Sequence, residues 1–295
     1  MFKKYQKKKD GAIRFYDLSS SGTRALLIVL FIICIILVLI ALAPVAWTFI
    51  SGFKTHKEFT STRNVKFLPE SWSWKDSYQS TWNKLDFVKY YTASGIAVTG
   101  CAISAVVFNG LLAYVLAILR PRGHKIIFSL VMFCLLIPPT TALAAVYVNI
   151  VNIGLNGSYL PIWLSFGANA FWVVLYKQFF ESIPKDYFEA ARIDGCTDFQ
   201  MFYKILMPLS TPIVMVILIF SVTAAWSDVL LPNLVMTGTK NVTVMMRLFR
   251  FATEITVQKV DQLRAAAFAI IPPTIFFLIF QKKITSGIAG GGIKG

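Results

Sequence analysis

The chain has 295 residues, of which 56% are hydrophobic and only 15% are charged. A soluble domain would carry about a quarter charged residues, and here the apolar residues fall in blocks of roughly twenty, the length that a helix needs to cross a bilayer. The net charge of +15 fits topology signals and a membrane surface better than nucleic acid. The composition therefore predicts an all-α integral membrane protein in contact with the lipid bilayer.

The residues that usually hold metals or disulfides are scattered. The four cysteines form no C-x-x-C pair, and the two histidines stand alone at the ends of predicted spans. The chain also lacks the G-x-x-x-x-G-K-[ST] loop that binds nucleotide phosphates. We therefore predict no cofactor, no metal site and no catalytic residue.

The first part of the chain predicts an anchored N-terminus. Residues 1–24 are basic and polar, and the apolar run at 25–50 is longer than the core of a signal peptide. This pattern predicts an uncleaved first span that begins in the cytoplasm. Residues 51–90 form a polar external loop, whose aromatic residues fit a membrane interface better than a carbohydrate-stacking surface.

The core at residues 91–280 is predicted to contain five more spans. They lie at about 91–119, 126–148, 160–180, 208–225 and 263–280. The span at 91–119, which is the second of six in the whole chain, carries small residues at every fourth position (Ala93, Ala97, Cys101 and Ala105). This spacing predicts close packing among other helices. Pro138 and Pro139 interrupt the third. Counting six spans from a cytoplasmic start places residues 181–208 and the glycine-rich tail, residues 281–295, in the cytoplasm.

Residues 181–208 form a charged island between two apolar runs, and their pattern predicts a helix, a turn and a second helix. Pro184 suits the first position of a helix, and Gly195 suits the left-handed conformation that closes one. Thr197 and Gln200 have the spacing of a capping box. A single apolar face on the second helix is predicted from three residues (Phe199, Phe202 and Leu206).

No ionisable residue lies in the middle of a predicted span, because Asp228 and Arg264 fall near predicted ends. A proton-coupled carrier or an intramembrane hydrolase would need such groups. The remaining interpretation is a pathway component whose polar island engages a partner.

At this point a resemblance becomes specific. Glu189-Ala190-Ala191, followed by Asp194-Gly195 and closed by Pro208, resembles the EAA loop of ABC-importer permeases. The ending Ser286–Gly295 is similar to the glycine-rich tail of the MalG-like carbohydrate permeases. The resemblance implies the fold of a type I ABC importer permease, with six transmembrane helices and both termini in the cytoplasm of a bacterial-type plasma (inner) membrane.

The resemblance also implies partners. These are a second homologous permease, two ATPase subunits and an extracellular solute-binding protein. The EAA residues would dock in a cleft of an ATPase, through Glu189, Ala190, Ala191, Asp194, Gly195 and Phe199. The tail would contact the ATPase through Gly287, Gly290 and Lys294. An ordinary cytoplasmic helix and a disordered basic tail are the alternatives.

Residues that line the transport path are harder to assign. The chain departs from the family at Ser227 and Asn233, so the family's substrate contacts cannot be transferred to this sequence. Five polar or aromatic residues are candidates, although each also fits a role as an interhelical contact or interface anchor (Asn109, Asn169, Trp172, Ser221 and Trp226).

The functional hypothesis is a non-catalytic permease subunit of an ATP-driven importer for a sugar or oligosaccharide. One alternative is the same fold carrying an amino acid, a polyamine or phosphate. Another is a membrane scaffold that recruits a cytoplasmic partner without transport. Co-purification of an ATPase and a second permease distinguishes transport from a scaffold.

Overall fold

A computed structural model describes residues 21–61, 66–251, 253–254 and 257–291. Within this part of the chain the regular secondary structure is entirely helical. The α-helices in chain order are α1 (Ser21–Gly52), α2 (His56–Thr60), α3 (Ser80–Lys84), α4 (Phe87–Tyr114), α5 (His124–Cys134), α6 (Leu143–Asn152), α7 (Leu160–Gly167), α8 (Ala170–Glu181), α9 (Asp186–Ile193), α10 (Asp198–Gln200), α11 (Met207–Leu209), α12 (Thr211–Ser227), α13 (Leu230–Val235), α14 (Val244–Phe251) and α15 (Lys259–Gly291).

Three helices among the described residues are long and apolar enough to cross a membrane by themselves. They cover Gly22–Gly52, Phe87–Leu119 and Lys259–Gln281. Two further candidates are bent pairs, α5 with the helical stretch Pro139–Asn152 at 93°, and Asp198–Leu209 with α12 at 84°. By length and composition the described chain therefore has three candidate spans, or up to five if each bent pair is one span.

The predicted interruption by Pro138 and Pro139 is confirmed. Helix α5 ends at Cys134, a 3₁₀ turn occupies Pro139–Ala142, and α6 begins at Leu143. Proline lacks the amide proton that continues a helix and its ring clashes with the preceding turn. The third predicted span is therefore two half-helices rather than one rod.

The fourth predicted span, at 160–180, is also broken, which the sequence did not indicate. Helix α7 ends at Gly167 and α8 begins at Ala170. The side chain of Asn169 caps α8 by accepting a hydrogen bond from the amide of Trp172 at 3.1 Å. Asparagine is among the preferred N-cap residues, so it starts a new helix here instead of continuing the old one.

Helix α4 lies at the centre of the fold and packs against α7, α8 and α12. Its small residues Ala97, Cys101 and Ala105 are 3%, 0% and 0% exposed, which confirms the predicted burial of the second span. The absence of a side chain at Gly100 is required, because a Cβ there would lie 2.2 Å from the indole of Trp163. By contrast the apolar side chains of α1 point outwards, as the example of Phe31 at 67% exposure shows.

A buried ionic network ties the end of α1 to α3 and to the start of α15. Arg264, which is 8% exposed, donates hydrogen bonds to the backbone carbonyls of Gly52 at 2.6 Å and Lys54 at 3.1 Å. It also donates to the Thr81 hydroxyl at 3.0 Å and to the Asp261 carboxylate at 3.1 Å. One guanidinium thus connects segments that lie far apart in sequence.

Replacing Arg264 with alanine should destabilise the protein, because Asp261 and two backbone carbonyls would then lose a buried donor. Removing one partner of a buried pair costs about 3–5 kcal/mol. We expect a clearly lower thermal unfolding temperature for the detergent-solubilised protein. Arg122→Ala, at an exposed arginine, is the control and should unfold like the parent chain. Equal unfolding temperatures for both variants would contradict this role of Arg264.

Candidate functional site

The charged island at residues 181–208 folds as predicted into a helix, a turn and a second helical stretch; we call it the coupling segment. Helix α9 is followed by Gly195, whose φ of +78° confirms the predicted left-handed turn. The Thr197 hydroxyl accepts from the Gln200 amide at 3.3 Å, and the Gln200 side chain accepts from the Thr197 amide at 2.9 Å. The capping box is therefore confirmed, and it starts the second stretch in a fixed direction.

The prediction for Pro184 is wrong. Helix α9 begins at Asp186, and the carbonyl of Lys185 accepts the first hydrogen bonds, from Phe188 at 2.9 Å and Glu189 at 3.1 Å. Pro184 lies before the helix, in the short turn that joins α8 to α9, and does not open α9.

One face of the coupling segment is buried against the spans. Phe188 and Ala191 of α9 are 5% and 4% exposed, and Phe202 and Leu206 of the second stretch are 6% and 0% exposed. All four belong to the same apolar cluster as residues of α4, α8 and α12. This burial makes the coupling segment part of the packed fold and not a loose loop.

Phe199 does not share that face, contrary to the sequence prediction, because it is 65% exposed. Residues Met201–Leu206 are wound as a π-helix. The wider turn changes the side-chain spacing, so the 3.6-residue period that grouped Phe199 with Phe202 and Leu206 does not apply. Phe199 instead lies on the open side of the coupling segment.

The open side carries most of the residues assigned to ATPase contact. Glu189, Ala190, Asp194 and Gly195 are all exposed, together with Phe199. Ala191 is the exception, since it is buried beneath the helix. Of the two neighbouring alanines of the motif, Ala191 is thus buried against the fold and Ala190 is exposed.

A groove of about 610 Å³ runs along this open side. Tyr187 lines it at 52% exposure. Ile193, the last residue of α9, is 86% exposed. Sequence reasoning missed both residues, and no pattern in the sequence singled them out. The remaining lining residues are Pro184, Asp186, Ala190, Ala191, Asp194, Cys196 and Ile205. An exposed apolar and acidic surface of this kind suits the docking of another protein.

Polar contacts hold the coupling segment at its first residue and at the start of its second helical stretch. The Tyr114 hydroxyl, near the end of α4, donates to the backbone carbonyl of Asp198 at 3.1 Å. The Glu181 carboxylate accepts from Arg120 at 3.1 Å and from Lys177 at 2.9 Å. The basic turn after α4 and the last turn of α8 are therefore joined where the coupling segment begins.

Two of the proposed path-lining residues are fully buried inside this chain. Asn109 donates to the carbonyls of Ala105 and Phe166, each at 2.8 Å, and accepts from the amide of Asn169 at 2.9 Å. Ser221 donates to the carbonyl of Leu218 within its own helix at 2.9 Å. Asn109 therefore makes contacts between helices and Ser221 makes a contact within its own helix, which fits the alternative to path lining.

Trp226 is partly buried, and its indole donates to the carbonyl of Ala269 at 3.1 Å, so it joins α12 to α15. Asn169 is half-buried and Trp172 is 5% exposed, and both line an open cavity of about 340 Å³. The structure thus brings Asn109, Asn169 and Trp172 together at the α7–α8 break.

Asp228, which sequence reasoning set aside as a span-end residue, also lines this cavity. It follows α12 directly, and its Oδ1 accepts from the amide of Leu230 at 3.1 Å, at the start of α13. The other lining residues are Pro139, Thr140, Leu143, Val146, Ser165, Phe166, Ala224, Leu230 and Leu231.

The structure describes the backbone of two of the three residues predicted to form the tail contact. Gly287 and Gly290 lie in the last turns of α15, which continues as a helix to Gly291. Lys294 lies outside the described residues. The assignment of all three to an ATPase contact stays a prediction.

Comparison with known proteins gives a consistent match. Residues 109–289 match the family described as binding-protein-dependent transport system inner membrane component. The diacetylchitobiose uptake system permease protein NgcG of Streptomyces coelicolor is 26% identical, over 86% of this chain and 85% of its own length. The probable starch degradation products transport system permease protein AmyC of Thermoanaerobacterium thermosulfurigenes is 28% identical, over 88% of this chain and 94% of its own length.

The fold also matches a solved structure. A chain of a bacterial ABC transporter involved in the import of the acidic polysaccharide alginate superposes with a TM-score of 0.78 at 22% identity. The match covers 89% of this chain and 98% of that one. It shows that the two chains share a fold.

The different burial of Ala190 and Ala191 predicts different responses to the same substitution. Ala191→Leu should lower the free energy of unfolding by about 1–3 kcal/mol, because a larger side chain does not fit the packed core beneath α9. Ala190→Leu should leave it nearly unchanged, since that side chain faces outwards. Thermal unfolding of the two detergent-solubilised variants measures the difference, and an equal loss in both would contradict the orientation of α9.

Proposed function

Because this chain belongs to the family of binding-protein-dependent transport system inner membrane components, we propose that it is the permease subunit of an ATP-driven importer for a sugar or oligosaccharide. As an inner membrane component of a transport system, the chain is a transport subunit and not itself an enzyme. Support for a sugar comes from relatives named for diacetylchitobiose and for starch degradation products, which match this chain over most of their length.

The main support for a coupling role is that one face of α9 is buried against the spans while the other is exposed. Phe188 and Ala191 anchor α9 in the apolar cluster, while Glu189 and Ala190 remain exposed beside the open groove. In our proposal α9 docks in a cleft of an ATPase subunit. The small Ala190 lets the partner surface approach closely, and Glu189 pairs with a basic residue of the partner.

The same packing would carry a displacement of α9 to the membrane spans. The second stretch of the coupling segment leads through α11 into α12, and Tyr114 links it to α4. A displacement of α9 by closing ATPase subunits therefore shifts α4 and α12 together. Such rigid-body movement of packed helices is one of the known forms of alternating access.

The proposed membrane topology has six spans with both termini in the cytoplasm. The spans are α1, α4, the α5–α6 pair, the α7–α8 pair, α12 and α15. Residues 1–24 and 281–295 would lie in the cytoplasm and 51–90 outside, with the coupling segment facing the ATPases. The complete importer would contain a second homologous permease, two ATPase subunits that hydrolyse ATP, and an extracellular solute-binding protein.

Glu189→Lys should abolish coupling without unfolding the chain, because it reverses an exposed charge at the proposed ATPase contact. We expect substrate-stimulated ATP hydrolysis by the purified complete importer, reconstituted in liposomes, to fall at least about tenfold. Each tenfold loss of rate corresponds to about 1.4 kcal/mol of activation free energy. Membrane insertion and thermal unfolding should remain those of the parent.

Two further variants complete this test. Ala190→Leu should also lose stimulated hydrolysis, since it adds bulk to the same exposed surface. Glu70→Lys reverses an exposed charge at a site 119 positions earlier in the chain, where its partner is Lys66, and should keep normal coupling. Normal stimulation in both Glu189→Lys and Ala190→Leu would refute the coupling role.

A further inference from the structure

Three helix interruptions meet around the cavity of about 340 Å³. They are the 3₁₀ turn at Pro139–Ala142, the α7–α8 break at Asn169 and the α12–α13 junction at Asp228. Non-helical backbone at membrane depth is tolerated only where it is buried in protein or lines a water-filled cavity. Because three interruptions converge on one open cavity, we expect this cavity to be filled with water.

The cavity lies deep within the fold of the spans. Asn169 precedes α8, which has 12 residues and ends at Glu181, where the coupling segment begins. At 1.5 Å per residue this places Asn169 about 18 Å from the coupling segment. Since the hydrocarbon core is about 30 Å thick, in the proposed topology Asn169 falls inside the span and not at its end.

The lining offers the chemistry that binds a sugar. Thr140, Ser165 and Asn169 supply hydroxyl and amide groups, and Asp228 supplies a carboxylate that accepts hydrogen bonds from sugar hydroxyls. Phe166 and Trp172 add aromatic surface. A few placed polar groups among apolar ones are typical of small-molecule sites.

The charge of the lining sets a condition on the ligand. Among the described residues that line the cavity, Asp228 is the only charged one, and none of them is a lysine or an arginine. An acidic sugar would bring a second carboxylate beside an uncompensated one, and like charges at close range in a poorly screened site repel strongly. A hydroxyl or an amino group meets no such penalty.

We propose that this cavity is a substrate-contact site that accepts neutral or amino sugars and rejects acidic ones, with Asp228 as the specificity-determining residue. The inference rests on the proposed sugar-import function.

Asp228→Asn tests the charge with little structural change. The amide oxygen of asparagine also accepts hydrogen bonds, so the bond from the Leu230 amide is preserved while the charge is lost. Asp86→Asn is the matched control. It removes an exposed carboxylate whose backbone φ of +50° asparagine tolerates.

The first experiment measures the electrostatics without any knowledge of the substrate. Ser165→Cys places a thiol in the cavity lining of the complete importer, and its reaction rates with a cationic trimethylammonium and an anionic sulfonate methanethiosulfonate are compared. The rates of the chain without this substitution are subtracted to remove the four native cysteines. We expect the cation-to-anion rate ratio to fall about tenfold or more in Asp228→Asn and to stay unchanged in Asp86→Asn.

An unchanged ratio in Asp228→Asn, or no reaction of the introduced thiol with either reagent, would overturn the proposal. The second experiment measures uptake of radiolabelled neutral, amino and uronate oligosaccharides by cells carrying the complete importer. We expect uptake only from the neutral or amino group, and uptake of a uronate oligosaccharide would also overturn the proposal. If no sugar of any group is imported, the proposed function fails, whereas the rate ratio still reports on the cavity.

Discussion

The side chain of Asn109 makes three hydrogen bonds inside the bundle, and two of them serve backbone groups on either side of the α7–α8 break. A helix interruption in an apolar surrounding frees amides and carbonyls that have no water to bind, and each unpaired group is costly. Asn109 meets the carbonyl of Phe166 and the amide of Asn169, so the break is stabilised by α4. The cavity beside Asn169 and Trp172 exists because this interruption is satisfied from within the fold.

Helix α4 thereby connects three features that are separate in sequence. Its first turns follow α3, whose Thr81 joins the network of Arg264. Its centre holds Asn109, and its last turns hold Tyr114, which fixes the coupling segment. Close packing through small residues makes α4 hard to move alone, so α4, α8 and the coupling segment move as one unit. The proposed transmission from ATPase to cavity depends on this rigidity.

Local signals in the sequence predicted local structure well. The left-handed turn at Gly195, the capping box at Thr197 and the proline interruption before α6 each depend on a few neighbouring residues, and each is confirmed. The break at Asn169 was missed, because a single polar residue in an apolar run resembles any other interhelical contact. The exposure of Phe199 was missed because the π-helix that follows leaves no signature in the pattern. The role of Asp228 requires three distant interruptions to meet, which no local pattern contains.

The network of Arg264 has a consequence for the order in which the protein assembles. Its acceptors at Gly52, Lys54 and Thr81 are synthesised early, whereas the guanidinium and Asp261 belong to α15, near the end of the chain. These contacts can therefore form only after α15 has been synthesised, and the last long helix then holds the end of the first in place. A chain cut short before α15 would leave the carbonyls of Gly52 and Lys54 without this donor.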